Sequence, residues 1–153
     1  MHLLKLGPDD AETLSAMAIE TFHAWAHLYP DDVFRSYLDE SFSVEATRSN
    51  LESPEYEAYF FMDTVPGAAD GGARPIGYCQ MRWHRGQTVQ GPAPCVEIER
   101  FYLLKEFQGQ GAGRYFLNAT IELLLAKGAR TMWLKVWDQN EKALALYRSK
   151  GFR

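Results

Sequence analysis

A glycine-rich run is the feature that most constrains how this chain can fold. Gln108-Gly109-Gln110-Gly111-Ala112-Gly113 stands between a β-type segment and a long apolar helical segment. Glycines let the backbone turn tightly and bring bare N–H groups up to an anion, and the positive end of the following helix dipole points to the same place. The run therefore predicts a loop that binds a phosphate group. Taken alone, a plain tight turn is the alternative.

Length and composition predict one compact domain over residues 1–153. The chain is 46% hydrophobic and 14% aromatic, which is enough to form a sizeable core. It contains no apolar run of the roughly 18 residues needed to cross a bilayer, and its first six residues are too short and too weakly basic for a secretory signal. We therefore expect a cytoplasmic protein with no membrane partner. Cys79 and Cys95 lack the spacing of metal ligands and are expected to be small buried residues.

The net charge of −4 conceals two halves of opposite sign. Residues 1–60 hold 12 acids against 3 bases, a net charge of −9, whereas residues 61–153 hold 8 acids against 13 bases, a net charge of +5. A basic second half suits a polyanionic cofactor, and an acidic first half attracts a cationic partner and disfavours nucleic acid. An ordinary solvated acidic surface is the alternative for the first half.

Alternating patterns predict a mixed α/β fold. A strand at 3–6 is followed by three helices, which begin near residues 8, 30 and 43 and carry most of the acidic residues. The pattern then predicts strands at 56–62, 75–84 and 95–103, with a flexible loop at 66–72. After the glycine loop it predicts a helix over 111–127, a strand over 131–137, and a last helix capped near Asn140 and ended by Gly151.

The glycine loop and the last helix together resemble the GCN5-related N-acetyltransferases (GNAT). The resemblance rests on Gln108-x-x-Gly111-x-Gly113 after a strand and on Asn140-x-x-Ala143-x-x-x-Tyr147-x-x-x-Gly151-Phe152. Further segments are similar to the bacterial spermine/spermidine N-acetyltransferases of the Pai type: Thr21-Phe22, Tyr37-Leu38, Ser41-Phe42 and Glu97 to Leu103. The resemblance implies a mixed, mostly antiparallel sheet flanked by helices. Its strands at 95–103 and 131–137 would splay apart, with acceptor-side helices in 1–60 and an acetyl-CoA-binding core at 95–127.

The resemblance implies an enzyme that moves the acetyl group of acetyl-CoA to a primary amine by direct attack in a ternary complex. Acetyl-CoA would be the co-substrate and no metal would be needed. The acceptor would be a polyamine or another small cationic amine. A non-catalytic acyl-CoA-binding sensor domain and a protein or peptide N-acetyltransferase are the alternatives. Lys135 stands where the ribosomal-protein alanine acetyltransferases carry a glutamate, which disfavours a protein N-terminus as acceptor.

The expected cofactor contacts follow the chemistry of acetyl-CoA. Backbone N–H groups of the glycine loop would hold the pyrophosphate, with Arg114 adding a charge. The pantetheine arm would pair like an extra strand with the backbone of 101–103, although these residues can also be ordinary strand core. The full set is Phe101, Tyr102, Leu103, Gln108, Gly109, Gln110, Gly111, Ala112, Gly113, Arg114, Asn140 and Tyr147.

Two glutamates are candidates for the general base. An alkylammonium with a reference pKa of about 10.4 costs roughly 4.6 kcal/mol to deprotonate at pH 7, so a base must help. Glu97 and Glu99 lie two apart on a predicted strand and share one face. The resemblance places Glu97 at the base position of the histone-type members, and Glu99 is the alternative. Either can instead pair with Arg82 or Arg100.

Tyr147 is the candidate proton donor to the leaving thiolate. Transfer from a phenol of pKa about 10 to a thiolate of pKa about 8.5 is uphill by only roughly 2 kcal/mol. Asn140 lies on the same helical face and can hold the cofactor arm or a water. A core tyrosine is the alternative. His23 and His27 have the i, i+4 spacing of a metal pair, but no third ligand accompanies them and no metal is expected.

The resemblance also bears on the end of the chain. Members of the family continue after the Gly151-Phe152 position with two more strands, whereas only Arg153 remains here. We therefore expect a truncation or a fragment. The strand at 131–137 would be an exposed edge, so a missing tail or a homodimer partner is expected to cover it.

Overall fold

The computed structural model of the protein describes residues 1–64, 72–83 and 91–153. The described strands are β1 (His2–Lys5), β2 (Tyr56–Thr64), β3 (Ala73–Trp83), β4 (Cys95–Leu103) and β5 (Thr131–Trp133). The helices are α1 (Ala11–Phe22), α2 (Asp31–Ser41), α3 (Val44–Glu52), α4 (Ala112–Ala126) and α5 (Glu141–Arg148), with 3-10 turns at Pro8–Asp10, His23–Leu28 and Lys105–Phe107.

The strands form one sheet in the order β1-β2-β3-β4-β5. The first four are antiparallel, and β5 runs parallel to β4. Parallel neighbours need a crossover connection, and α4 supplies it between β4 and β5. The expected mixed, mostly antiparallel sheet flanked by helices is confirmed.

Each face of the sheet carries its own hydrophobic core. We call the side covered by α1, α2 and α3 the front face and the side covered by α4 the back face. Burial of large apolar side chains, each worth about 1.5–3 kcal/mol, fixes the helices on both sides. The front core includes Leu14, Phe22, Phe34, Phe42, Phe60 and Tyr78, and the back core includes Phe61, Met81, Ile98, Phe116, Leu117 and Leu124.

A β-bulge at Glu99 controls which side chains of β4 face front. Gln80 pairs with Arg100, but Met81 pairs with Ile98, so Glu99 is an extra residue on β4. The bulge changes the alternation of faces along the strand: Ile98 packs in the back core, whereas Tyr102, four positions later, packs with the front core. Regular alternation would have placed both on one face.

The predicted strand over 131–137 is wrong in length. β5 ends at Trp133, because its ladder with β4 covers only residues 95–97 and β4 bends away at the bulge that follows. The prediction of β4 at 95–103 agrees with the structure, and α4 differs by one residue at each end. The predicted flexible loop at 66–72 falls almost wholly outside the described residues.

The i, i+4 spacing of the two histidines brings them together only on an α-helix, whereas both lie in the 3-10 turn His23–Leu28. Three residues per turn do not align positions four apart, and the Nδ1 atom of His23 lies 2.7 Å from the Ile19 carbonyl oxygen. In the part of the chain that the structure describes, no group of three or more His, Cys, Asp or Glu side chains is arranged to hold a metal. Over the same residues, no helix is long and apolar enough to cross a membrane.

Candidate active site

The glycine loop joins β4 to α4 through two left-handed residues. Gly109 and Gly111 have φ values of 78° and 90°, a conformation that other residues adopt only with strain. Nothing lies within 4 Å of the position that a Cβ would take at either residue, so the space above the loop is open. No side chain among the described residues caps the first turn of α4. Its N–H groups are therefore free to meet an anion.

Two glutamine side chains hold the loop in place. Gln108 Nε2 donates to the Leu103 carbonyl oxygen at 3.0 Å, and Gln110 Nε2 donates to the Glu106 carbonyl oxygen at 2.7 Å. One amide donor of each glutamine is thus used within the loop, and the backbone N–H groups remain available as a binding surface. Arg114 is exposed in the first turn of α4, on the same end of the helix.

β4 and β5 part after three residue pairs, and we call the space between their diverging chains the cleft. The ladder between the two strands stops at the Glu97–Trp133 pair, and the chain after Trp133 leaves the strand conformation. Residues 98–103 of β4 therefore pair with β3 on one side, and the other side faces the cleft. The expected splay is present, and the glycine loop lies where β4 ends.

Glu97 sits at the point where the two strands part. Its side chain is buried, with 6% of the residue exposed, and its Oε1 atom lies 3.9 Å from Nζ of Lys135. Burial raises the pKa of Glu97, Lys135 lowers it, Glu99 raises it and Arg82 lowers it, and the net direction is upward. A desolvated carboxylate with one weak ion pair is more basic than an ordinary glutamate.

Glu99 has closer partners than Glu97. Gln80 Nε2 donates to Glu99 Oε2 at 2.7 Å, and Arg82 Nη1 lies 3.6 Å from Glu99 Oε1. Both of its oxygens are therefore engaged by β3. The sequence allowed an ion pair of either glutamate with Arg82 or Arg100, and the structure has the pair between Glu99 and Arg82. Arg100 instead stacks on Phe42.

Tyr147 approaches the cleft from the back face. Its ring packs edge-on against Phe101, with 6.5 Å between centroids, and against Phe152 at 5.9 Å. Burial, and to a smaller extent Tyr102, raises the pKa of Tyr147 to about 12. The phenol therefore stays protonated throughout the neutral range and has a proton to donate. Its raised pKa makes transfer to a thiolate more uphill than for the unperturbed tyrosine considered from the sequence.

Asn140 caps the helix that carries Tyr147. Its Oδ1 atom accepts a hydrogen bond from the Ala143 N–H at 3.2 Å. About two turns of α5 separate the cap from Tyr147, so the two side chains follow one helix face. The cap uses the oxygen of the amide and leaves its NH₂ group as the donor for another partner.

The sequence did not reveal what surrounds the two glutamates. Gln80, Lys135 and the bulge become recognisable only once β3, β4 and the segment after β5 are aligned. The Glu97-x-Glu99-Arg100 pattern carries no signal of a bulge, because any of its residues fits a regular strand.

Cys79 and Cys95 are free and buried, and Cys79 pairs across the sheet with Phe101.

Comparison with known proteins identifies the family of the chain. The family model described as "Acetyltransferase (GNAT) family" matches residues 21–152. A mycothiol acetyltransferase from Nocardioides sp. is 28% identical over 157 aligned positions, which cover 98% of this chain and 52% of that protein. The chain thus spans about half the length of this curated relative.

Solved structures share the fold. The PaiA N-acetyltransferase from Thermoplasma acidophilum, in complex with coenzyme A, superposes with a TM-score of 0.70 at 22% identity and covers 100% of this chain and 91% of that chain. The aminoglycoside N-acetyltransferase AAC(6')-Iy, in complex with CoA, gives 0.68 at 18% identity and covers 99% and 86%. Because the family model matches most of this chain, the chain belongs to the GNAT family of acetyltransferases.

Proposed function

We propose that the protein is an acetyl-CoA-dependent N-acetyltransferase whose amine acceptor attacks the thioester directly in a ternary complex. The observation that carries the proposal is the cleft between β4 and β5. An uncapped helix N-terminus lies at one end of it, Glu97 lines it from the front face and Tyr147 from the back. The three groups match the three needs of the reaction: an anion site, a base and an acid.

Acetyl-CoA fits this cleft by charge and by backbone geometry. The pyrophosphate takes the N–H groups of 108–113, and Arg114 adds a positive charge. The amide-rich pantetheine arm runs beside the free edge of β4 at 101–103 and pairs with it as an added strand would. The NH₂ group of Asn140 faces the same arm from α5. The thioester then lies between Glu97 and Tyr147.

Glu97 is the general base in this proposal. Its raised pKa makes it a better proton acceptor than an ordinary glutamate. The oxygens of Glu99, in contrast, already accept from Gln80 and face Arg82. It takes the proton from the acceptor ammonium, directly or through one water. The free amine attacks the thioester carbonyl carbon, the C–S bond breaks, and Tyr147 gives its proton to the departing sulfur.

A small amine is the acceptor. The sequence predicts a polyamine or another small cationic amine, and the acidic first 60 residues favour such a ligand. Likeness to a PaiA enzyme and to an aminoglycoside enzyme supports the small-amine class without choosing within it. A non-catalytic acyl-CoA sensor and a protein or peptide acetyltransferase are the other candidates. A homodimer and a cytoplasmic location remain predictions of the sequence.

The test measures thiol release from acetyl-CoA with spermidine, spermine, aminoglycosides, amino acids and basic peptides as acceptors. Calorimetric titration with CoA runs in parallel, because it reports on cofactor binding alone. Amine-dependent thiol release supports the enzyme. Tight CoA binding with no release for any amine would instead favour the sensor, and absence of CoA binding would contradict both.

A further inference from the structure

The guanidinium of Arg100 lies on the front face, and no ion pair joins it to a carboxylate of the described residues. It lies 4.2 Å above the centroid of the Phe42 ring, and Nη2 donates to the Ser41 carbonyl oxygen at 3.4 Å, near the upper limit for a hydrogen bond. Among the described residues this is its only hydrogen bond, and none of their carboxylates lies within 4 Å of it. Most of its five N–H donors thus lack a described protein partner.

The other charges of this patch already balance one another. On the front face of β3 and β4, Glu99 is held by Arg82, and Glu97 faces Lys135. Among the described residues of this patch, Arg100 is the cation without a paired carboxylate. The four acids of α2, Asp31, Asp32, Asp39 and Glu40, are all exposed. A bound ammonium group beside Arg100 would be repelled, whereas a bound anion would remove the imbalance.

Phenol groups surround Arg100 on the side of the N-terminal helices. Tyr102 and Tyr78 form a cross-strand pair with 5.8 Å between ring centroids, and Tyr37 stacks on Phe22 at 5.1 Å. Burial raises the pKa of Tyr102, while Arg100 lowers it and Tyr37 and Tyr29 raise it, so these groups share one electrostatic neighbourhood. Tyr29 and Tyr37 are 42% and 44% exposed, which leaves their faces open to a ligand.

Tyr78 adds a second phenol to the neighbourhood of Arg100. Its side chain is completely buried next to Thr21. Thr21 donates its own hydroxyl hydrogen to the main-chain carbonyls of Met17 and Ala18, so its oxygen can accept from the Tyr78 hydroxyl. Burial raises the pKa of Tyr78, while Arg100 lowers it. The Arg100 guanidinium therefore acts on both phenols of the cross-strand pair.

From these observations we infer that Arg100 binds a carboxylate of the acceptor, so that the substrate is a primary amine that also carries a carboxylate. The inference rests on the proposed function, because it places the acceptor in the same cleft. Guanidinium and carboxylate match in a planar, two-bond geometry, which an ammonium chain cannot offer. Tyr102 and Tyr37 then stand beside the carboxylate as additional donors.

The positions of Arg100 and Glu97 suit one small molecule. They are three positions apart on β4, at most about 10 Å between Cα atoms, and both face front. An amino acid with its carboxylate at Arg100 can therefore present an amine to Glu97. An aliphatic polyamine has no group for Arg100 and would place a second charge near it.

Matched pairs of ligands isolate the carboxylate. Ornithine and putrescine differ only by that group, as do lysine and cadaverine. Each is titrated by calorimetry into the full chain saturated with CoA. We expect each amino acid to bind on the order of tenfold more tightly than its decarboxylated partner. Arg100→Met should bring both ratios close to one, and Arg100→Lys, which keeps the charge but not the planar fork, should give intermediate ratios.

Arg48→Met is the matched control, because Arg48 is exposed on α3 and should leave both ratios as they are. Thermal unfolding with CoA bound shows whether each variant keeps its fold. If Arg100→Met does not fold, Arg100→Lys alone tests the inference. Equal binding of the paired ligands, binding of none of them, or a preference that survives both Arg100 variants would overturn the inference. Thiol release tests the proposed function separately: turnover of putrescine but not ornithine would overturn only the carboxylate site.

Discussion

Lys135 Nζ lies 3.9 Å from Glu97 Oε1, across the point where β4 and β5 part. The two side chains differ sharply in exposure, at 72% for Lys135 and 8% for Glu97. An exposed ammonium at this distance screens a buried carboxylate only weakly, since water solvates the lysine. The pair therefore keeps Glu97 accessible to a proton without neutralising it in a tight ion pair.

Replacement of the base is expected to slow the reaction without loss of cofactor. Glu97→Gln keeps the shape of the side chain but removes its ability to take a proton, so kcat/KM should fall about 100-fold or more. Calorimetric titration should give an unchanged Kd for CoA. The loss should shrink at alkaline pH, because the acceptor amine then deprotonates without help.

Glu99→Gln is the matched comparison for Glu97→Gln. It retains an acceptor oxygen for Gln80 but loses the charge that faces Arg82, and we expect less than about a tenfold loss of kcat/KM. The same assay compares both variants at one pH. A larger loss for Glu99→Gln than for Glu97→Gln would assign the base to Glu99.

The pH profile should report the raised pKa of Glu97. A base works only when it is ionised, so kcat/KM should fall as the pH drops through that raised pKa, above the usual range of a glutamate. Lys135→Met removes the positive charge that lowers the pKa of Glu97. The acid limb of the kcat/KM profile should therefore move to higher pH. Lys142→Met, an exposed change on α5, should leave the limb in place. An acid limb at an ordinary glutamate pKa would contradict the assignment.

The same raised pKa predicts how stability depends on pH. Below the unfolded pKa of about 4.3, Glu97 is protonated in both states and costs nothing, whereas above its folded pKa the buried charge destabilises the fold. Glu97→Gln should therefore raise the melting temperature at pH 7 relative to the wild type and give little change at pH 4. Thermal unfolding followed by circular dichroism measures both. A lower melting temperature at pH 7 would mean that the Lys135 contact outweighs burial.

Tyr147→Phe should reduce turnover and spare binding. The ring keeps its contacts with Phe101 and Phe152, while the proton donor to the thiolate is lost. We expect kcat to fall about 100-fold with little change in the Kd for CoA. Tyr59→Phe is the control, because Tyr59 lies on β2, which β3 separates from β4, and its hydroxyl donates to Glu57 Oε2 at 3.1 Å. Equal effects from the two variants would remove Tyr147 from the chemistry.

The sequence predicts the parts of this fold that depend on local patterns. Apolar alternation gives β4 its observed bounds, and the glycines and the Asn140 cap define the starts of α4 and α5 within a residue. The end of β5 could not be predicted in this way. Residues up to 137 have strand propensity, but a strand needs a neighbour, and the bulge in β4 removes it.

In the candidate site too, the sequence predicts the residues that local pattern identifies but not the contacts that the sheet creates. Glu97, Glu99 and Tyr147 could be chosen by residue type and spacing, because a base and an acid need particular side chains. The difference between the two glutamates could not. It depends on Gln80 and Arg82 from β3 and on Lys135 beyond β5, which are brought together only by the sheet. From the sequence, Arg100 could pair with either glutamate. In the structure it contacts Phe42 instead, because the bulge changes which face of the sheet the side chains of β4 occupy.

A comparison of two glycines separates strain of the loop from contact with the cofactor. Gly111 has a φ of 90°, so Gly111→Ala should destabilise the protein by about 1–2 kcal/mol. Gly113 lies inside α4, where an added Cβ would meet Leu103 and Leu146 at ordinary contact distances of 3.5 and 3.7 Å, and Gly113→Ala should leave the stability equal or higher. Both backbones are proposed to face the pyrophosphate, so both variants should bind CoA more weakly. Urea unfolding measures the change in stability, and calorimetric titration measures the change in CoA affinity. Unchanged CoA affinity in a folded Gly113→Ala protein would remove that residue from the phosphate site.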